Sequence, residues 1–197
     1  MRILNQPVKN IRKEIDFRNS LEYVKEVKTI IIKEFLDIKE EMLDEFNRHD
    51  VTKEIEEGVD ATNMSKTLGY GNLFTFIGFD SSSKPIPPIR EILNSARIGY
   101  IKISRDGTSD TSIYYPTADE IFLVTPSPWA EGRSWAKGIE EGMSGLGRYI
   151  QTEGGRSGGG LQVDNQIRGG GFRNTPYISS IIRNFEKKIK RLNKIVV

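Results

Sequence analysis

Apolar residues recur at steps of three and four through residues 20–46: Leu21, Val24, Val27, Ile31, Phe35, Ile38, Met42 and Phe46 make one stripe. That period is the mark of an amphipathic helix. Ser20 stands where an N-cap belongs, and Glu and Lys fill the other faces. At 1.5 Å per residue the helix would be about 40 Å long. Such a length is unusual for a small domain, so the helix needs a sheet or neighbouring subunits to lie along. A second stripe (Tyr177, Ile178, Ile181, Ile182, Phe185, Ile189, Leu192) predicts a C-terminal helix over 177–192 with a Lys- and Arg-rich outer face.

Between the two stripes the pattern changes. Residues 47–72 are polar and punctuated by Gly58, Gly69 and Gly71, with Val51, Ile55, Met64 and Leu68 as anchors, and read as an ordered loop. Leu73-Phe74-Thr75-Phe76-Ile77-Gly78-Phe79 reads as a β-type run, broken by Ser81–Pro88, after which a short helix is expected at 89–96. Ile98–Ser104 alternates with period two, as a half-buried strand does. The turn Arg105-Asp106-Gly107-Thr108 leads to strands at Thr111–Tyr115 and Glu120–Thr125. Residues 126–133 turn the chain, and 134–150 read as a short, glycine-interrupted helix. The expected fold is therefore α+β: a long N-terminal helix packed on a small antiparallel sheet of about four strands, with a C-terminal helix. A long glycine-rich loop or arm completes it, residues 153–176, carrying Arg156 and Arg168 among its glycines. The organisation is a single domain, with an N-terminal arm at 1–19, a core at 20–150, the glycine-rich segment at 153–176 and the helix at 177–192.

Composition narrows the function classes. Apolar residues are 37% of the 197, below the roughly 45–50% of an average domain. A core forms, then, while a good part of the chain lies outside it. No apolar run approaches the roughly 18 residues that span a bilayer, and no apolar leader core opens the chain, so no membrane partner is expected. Cysteine is absent, which excludes disulfides, thiolate zinc sites and cysteine nucleophiles. The single histidine, His49, excludes histidine-rich metal clusters. From Arg156 onward nine bases face two acids, whereas the preceding residues hold twenty bases and twenty-five acids. Such polarity suits head-to-tail contact between copies, or a basic surface facing nucleic acid.

No catalytic constellation emerges. Gly155-Arg156-Ser157-Gly158-Gly159 is not a nucleophile elbow in a strand–helix context. No Gly-Lys-Ser/Thr is present for a phosphate loop. Glu40-Glu41, Asp44-Glu45, Glu56-Glu57 and Glu140-Glu141 are adjacent pairs, which diverge on a helix and read as solvated positions. His49 beside Asp50 reads as a loop or helix-end residue. No cofactor or metal is expected, and the chain reads as a non-enzyme.

Two features read instead as interface. Trp129 and Trp135 flank Gly132-Arg133, and aromatics with arginine are enriched where subunits meet, although the same group would also close one end of a core. The basic positions Arg156, Arg168, Arg173, Lys187, Lys188 and Arg191, with Phe172, suit phosphates or an acidic neighbour. A solvated helix face accounts for the helical ones equally well.

The segments His49–Ile55, Asn63-Met64-Ser65, Gly71–Phe79, Gly132-Arg133-Ser134-Trp135, Gly138-Ile139-Glu140, Gly145-Leu146-Gly147, Arg156-Ser157-Gly158 and Tyr177-Ile178-Ser179 resemble those of small neck or tail-completion proteins of tailed bacteriophages. The resemblance implies a virion subunit, made in the host cytoplasm, that forms a homo-oligomeric, six-fold ring. Its implied partners are a head connector or adaptor and a tail tube or tail terminator, with DNA passing through the lumen. The long glycine-rich segment departs from the common form of that family and leaves a tail-terminator ring open. A free basic nucleic-acid-binding protein and a hydrolase using His49 are the other readings.

Overall fold

The computed structural model describes residues 21–104, 109–128, 130–142 and 172–192. The expected N-terminal arm, the Ser20 cap, the Asp-Gly turn, Trp129, residues 143–150 and most of the glycine-rich segment, with Arg156 and Arg168, lie outside these. The chain is a mixed helix-and-sheet protein with a long N-terminal helix, small antiparallel pairing and a C-terminal helix. Its contacts divide it into two compact units, each assembled from separate stretches of chain.

Unit 1 comprises residues 1–46, 90–117 and 180–197. Its main element is helix α1 (Leu21–Arg48), which buries Ile31, Phe35, Met42 and Phe46 along one stripe. Helix α7 (Ile178–Leu192) contributes Ile181, Ile182, Phe185 and Ile189 to the same core. Asn184 donates to Glu45 Oε1 at 2.7 Å, and Lys188 Nζ lies 2.8 Å from Glu41 Oε2. As α1 advances from Glu41 to Glu45 its partners recede from Lys188 to Asn184, so the helices run antiparallel. At the end of helix α4 (Pro87–Asn94) the Lys39 ammonium donates to the Asn94 carbonyl at 2.6 Å. A cation there satisfies one of the carbonyls a helix leaves unpaired and opposes the helix dipole.

Strands β1 (Arg97–Ile103) and β2 (Ser109–Tyr114) pair antiparallel. The register steps from Ile98↔Ile113 to Tyr100↔Ser112, leaving Gly99 as the extra residue of a bulge. The bulge places Ile98, Ile101 and Ile103 on the better-covered side and leaves Tyr100 exposed, so the strict alternation expected from 98 onward is broken. A Cβ at Gly99 would run into the Tyr114 ring, which accounts for glycine at the bulge.

Unit 2 comprises residues 47–89 and 118–179. Here the expected loop at 47–72 contains helix α2 (Asp50–Glu57) and a 3₁₀ turn at Gly58–Asp60, with Val51, Ile55 and Leu68 buried as anticipated. The β-type run at 73–79 is instead helix α3 (Leu73–Ile77). Asn72 caps it by accepting from the Thr75 N–H, and Gly78 closes it in a left-handed conformation, φ 87°. The supposed strand at 120–125 is also helical, α5 (Ala118–Leu123), with Asp119 and Glu120 in its first turn, where acids favour a helix. Strands β3 (Pro126–Ser127) and β4 (Ala130–Ser134) make a second, minimal pair. The four-stranded sheet expected from the pattern is thus two separate two-stranded pairs. Helix α6 (Trp135–Glu141) follows, capped by the Ser134 hydroxyl accepting from the Lys137 N–H.

Candidate interaction surface

The polar side chains of unit 2 are spent on holding its loops. Glu54 is fully buried, and its carboxylate accepts from the Ser65 N–H at 2.8 Å and the Leu73 N–H at 2.7 Å. Asn72 donates to the Val59 and Ala61 carbonyls, both at 3.0 Å, while its Oδ1 caps α3. Together they tie α2, the segment after it and the start of α3 into one piece. Burial without partners would cost each of these groups a few kcal/mol, so the network is structural; its hydrogen bonds go to the chain's own backbone and, at Asn72 Oδ1, also to the Thr75 hydroxyl.

His49 belongs to the same scheme. Its Nδ1 accepts from the Val51 N–H at 3.2 Å, capping α2, and its Nε2 lies 3.1 Å from the Pro176 carbonyl. A carbonyl only accepts, so Nε2 carries the proton and the ring is the neutral Nε2–H tautomer. The ring packs on Tyr177 at 4.9 Å, and the Tyr177 hydroxyl meets Thr52 Oγ1 at 2.9 Å. The helix-end reading of His49 is the one the geometry supports.

The residues singled out from the sequence do not gather into one patch. Trp135 is 1% exposed, T-stacked on Phe79 at 5.7 Å and lying 6.4 Å from Tyr177. It closes the core of unit 2, and its proposed interface role gives way to that. Arg133 is exposed on β4, after Gly132 at φ 72°. Phe172 stacks on Phe76 at 5.9 Å. The Arg173 N–H donates to the Thr67 carbonyl, and the Thr175 N–H to Ile139. The last residues of the expected arm, 172–176, therefore run along their own unit. Lys187 is exposed on α7, Lys188 is paired with Glu41, and the Arg191 side chain lies outside the described residues. Of the acidic pairs taken as solvated, Glu41 and Glu45 bind α7, and Glu140 accepts from the Ser179 N–H at 2.7 Å, capping that helix.

Several large apolar side chains are exposed among the described residues. On α1, Leu21, Ile32 and Leu36 are exposed, Leu36 by 53%. With the exposed Lys25 and Lys28 they follow one another at steps of four, three, four and four. They form a second stripe beside the buried one. At the end of α5, Leu123 is 82% exposed and Val124 adjoins it, one turn after the exposed Asp119 and Glu120. A shallow depression over Leu68, Tyr70, Gly71 and Phe76 carries no charged side chain. Sequence periodicity missed both apolar patches: the α1 flank is masked by the stronger core stripe, and Leu123 was assigned to a strand.

Among the described residues no group of three or more His, Asp or Glu is placed to hold a metal, and no helix is long and apolar enough to cross a membrane. Comparison with models of protein families, with curated proteins and with solved structures finds no match to this chain.

Proposed function

We propose that this chain is a non-enzymatic structural subunit that assembles into a ring at the neck of a tailed phage, between head connector and tail. The observation that carries this reading is the exposed flank of α1, where Leu21, Ile32 and Leu36 lie in one row with Lys25 and Lys28. Apolar positions repeated along one exposed helix flank lower the free energy when another protein surface covers them. The sequence resemblance to neck and tail-completion proteins says which kind of assembly to look for. The commitment of His49 to two backbone partners and of Glu54 to two more argues against a hydrolase built on them. Cyclic closure needs one patch to meet a different patch on the next copy, and the polarity between the acid-rich first part and the basic last part of the chain suits that.

Light scattering on the purified full chain tests the reading. A closed ring at several multiples of 22.3 kDa, and its location between connector and tail tube in cryo-EM of tailed particles, is the expected result. A monomer at every concentration, together with absence of the chain from particles, overturns it.

A further inference from the structure

We infer that the outer face of α7 binds the phosphate backbone of double-stranded DNA through Arg183, Lys187 and Lys190. The inference goes beyond the ring reading and does not depend on it. Over residues 178–190 of α7 these three are the exposed side chains, and every other position is buried or half-buried. Steps of four and three residues set them in one row, about 10 Å long at 1.5 Å per residue. Among the described residues none of the three has an ion-pair or hydrogen-bond partner. The acids that touch α7 in unit 1 are engaged elsewhere. The Glu186 carboxylate accepts from the Tyr115 hydroxyl, Glu41 pairs with Lys188, and Glu45 accepts from Asn184.

Such a row is unfavourable for the chain on its own, because like charges three and four residues apart on a helix repel. Only Lys190 lies in the last turn, where the helix dipole favours a cation. The exposed face of α1 is built differently, with Glu22, Glu26 and Asp37 standing among Lys25, Lys28 and Lys33. A local rule broken in one place and kept in another marks a site where a ligand supplies the missing charge. The chemistry of the row selects that ligand. A membrane surface needs an exposed apolar side next to the basic one, whereas Ile181, Ile182, Phe185 and Ile189 are all inside the core. A protein partner needs an apolar or aromatic centre to hold it, and single-stranded nucleic acid needs rings on which bases stack. The row offers neither. Duplex DNA requires only cations facing a line of phosphates, and about 10 Å is the axial rise of about three nucleotides of one strand.

The test follows the anisotropy of a fluorescein-labelled DNA duplex of about 20 base pairs as the full chain is added, at several salt concentrations between about 50 and 200 mM. Wild type is compared with the triple variant Arg183→Gln, Lys187→Gln, Lys190→Gln. A control variant loses the same charge at exposed lysines away from α7, by Lys33→Gln, Lys53→Gln and Lys84→Gln. All six side chains are exposed, and circular dichroism checks that both variants keep wild-type helicity. Wild type should bind the duplex, with an affinity that falls as salt rises. The α7 variant should lose at least about tenfold at the lowest salt, and its salt slope should flatten by about 0.9 for each phosphate contact removed. The control should stay within about twofold of wild type, because exposed charges away from the contact are screened. Failure of wild type to bind the duplex overturns the inference. So do equal losses in the two variants, which would make net charge and not this face the cause, and so does tighter binding to a single strand of the same length. Light scattering decides the ring separately: a monomeric chain that binds the duplex through α7 removes the ring reading and leaves this one standing.

Discussion

The two units of this protein are stabilised in opposite ways. Unit 1 has an apolar core of aliphatic side chains with Phe35, Phe46 and Phe185, contributed by two antiparallel helices and a bulged hairpin, and its polar contacts sit at the rim: Glu41 with Lys188, Glu45 with Asn184, Tyr115 with Glu186. Unit 2 has short elements joined by long irregular stretches, and its polar contacts are inside, around Glu54 and Asn72. The difference follows from the backbone. Long helices satisfy their own N–H and C=O groups and need only an apolar face, whereas irregular chain must find side chains for those groups. A carboxylate or amide that would be a liability in unit 1 is what makes unit 2 possible.

Removing the buried acid should have the largest effect. Glu54→Ala leaves the Ser65 and Leu73 N–H groups unsatisfied in the interior, and is expected to cost about 3 kcal/mol in urea unfolding. Glu54→Gln, which keeps the shape but only one good acceptor, should cost about half as much. Equal losses from the two substitutions would mean that packing, not hydrogen bonding, is what Glu54 supplies. Next comes Asn72→Ala, which removes a helix cap and two carbonyl partners at once. About 2 kcal/mol is expected, with hydrogen exchange quickening through α3 first.

That contrast also explains what could be read from the residues alone. The stripes of α1 and α7 are long enough for the 3.6-residue period to declare itself, so Phe35, Met42, Phe185 and Ile189 could be placed in a core from the sequence. Unit 2 has helices of five to eight residues, too short for a period to outweigh composition. Leu73–Phe79 therefore looked like a strand by its Phe and Ile content. The information was present in the punctuation: Asn72 three residues before Thr75, and Gly78 immediately after Ile77, are a cap and a stop. Asp119 and Glu120 after Pro116 were the corresponding signal for α5. Glu54 was harder, because nothing local says that a glutamate on a short helix faces inward. Its partners, Ser65 and Leu73, are eleven and nineteen residues away. Of the two readings left open for the tryptophans, interface or core closure, Trp135 takes the second, stacked inside unit 2 on Phe79.

On the unit 1 side, Lys188→Ala should cost under about 1 kcal/mol, because its ion pair with Glu41 is solvated. The loss should shrink further as salt is raised. The comparison between the units would be broken if this substitution proved as costly as Glu54→Ala, since the rim contacts would then be carrying unit 1.

The smallest effect is the most specific. Tyr115 is half-buried after β2, its ring edge-on to Phe185 at 5.4 Å, and its hydroxyl donates to Glu186 Oε1 at 3.3 Å. Burial, then the Glu186 charge and this hydrogen bond, raise its pKa above the ordinary 10.0. The folded chain thus keeps the phenol proton to higher pH than the unfolded chain does. Below the ordinary value both states are protonated and the contribution is fully present. As pH rises past it, the unfolded chain releases the proton first, so the native state binds more protons and stability falls. The contribution is gone once pH exceeds the raised folded value. Lysines titrate in the same region, so the measurement is the difference in urea-unfolding free energy between wild type and Tyr115→Phe. That difference should be flat up to about pH 9 and then move in favour of the variant. A difference that stays flat to the alkaline end would mean that in solution the Tyr115 hydroxyl is neither buried nor held by Glu186.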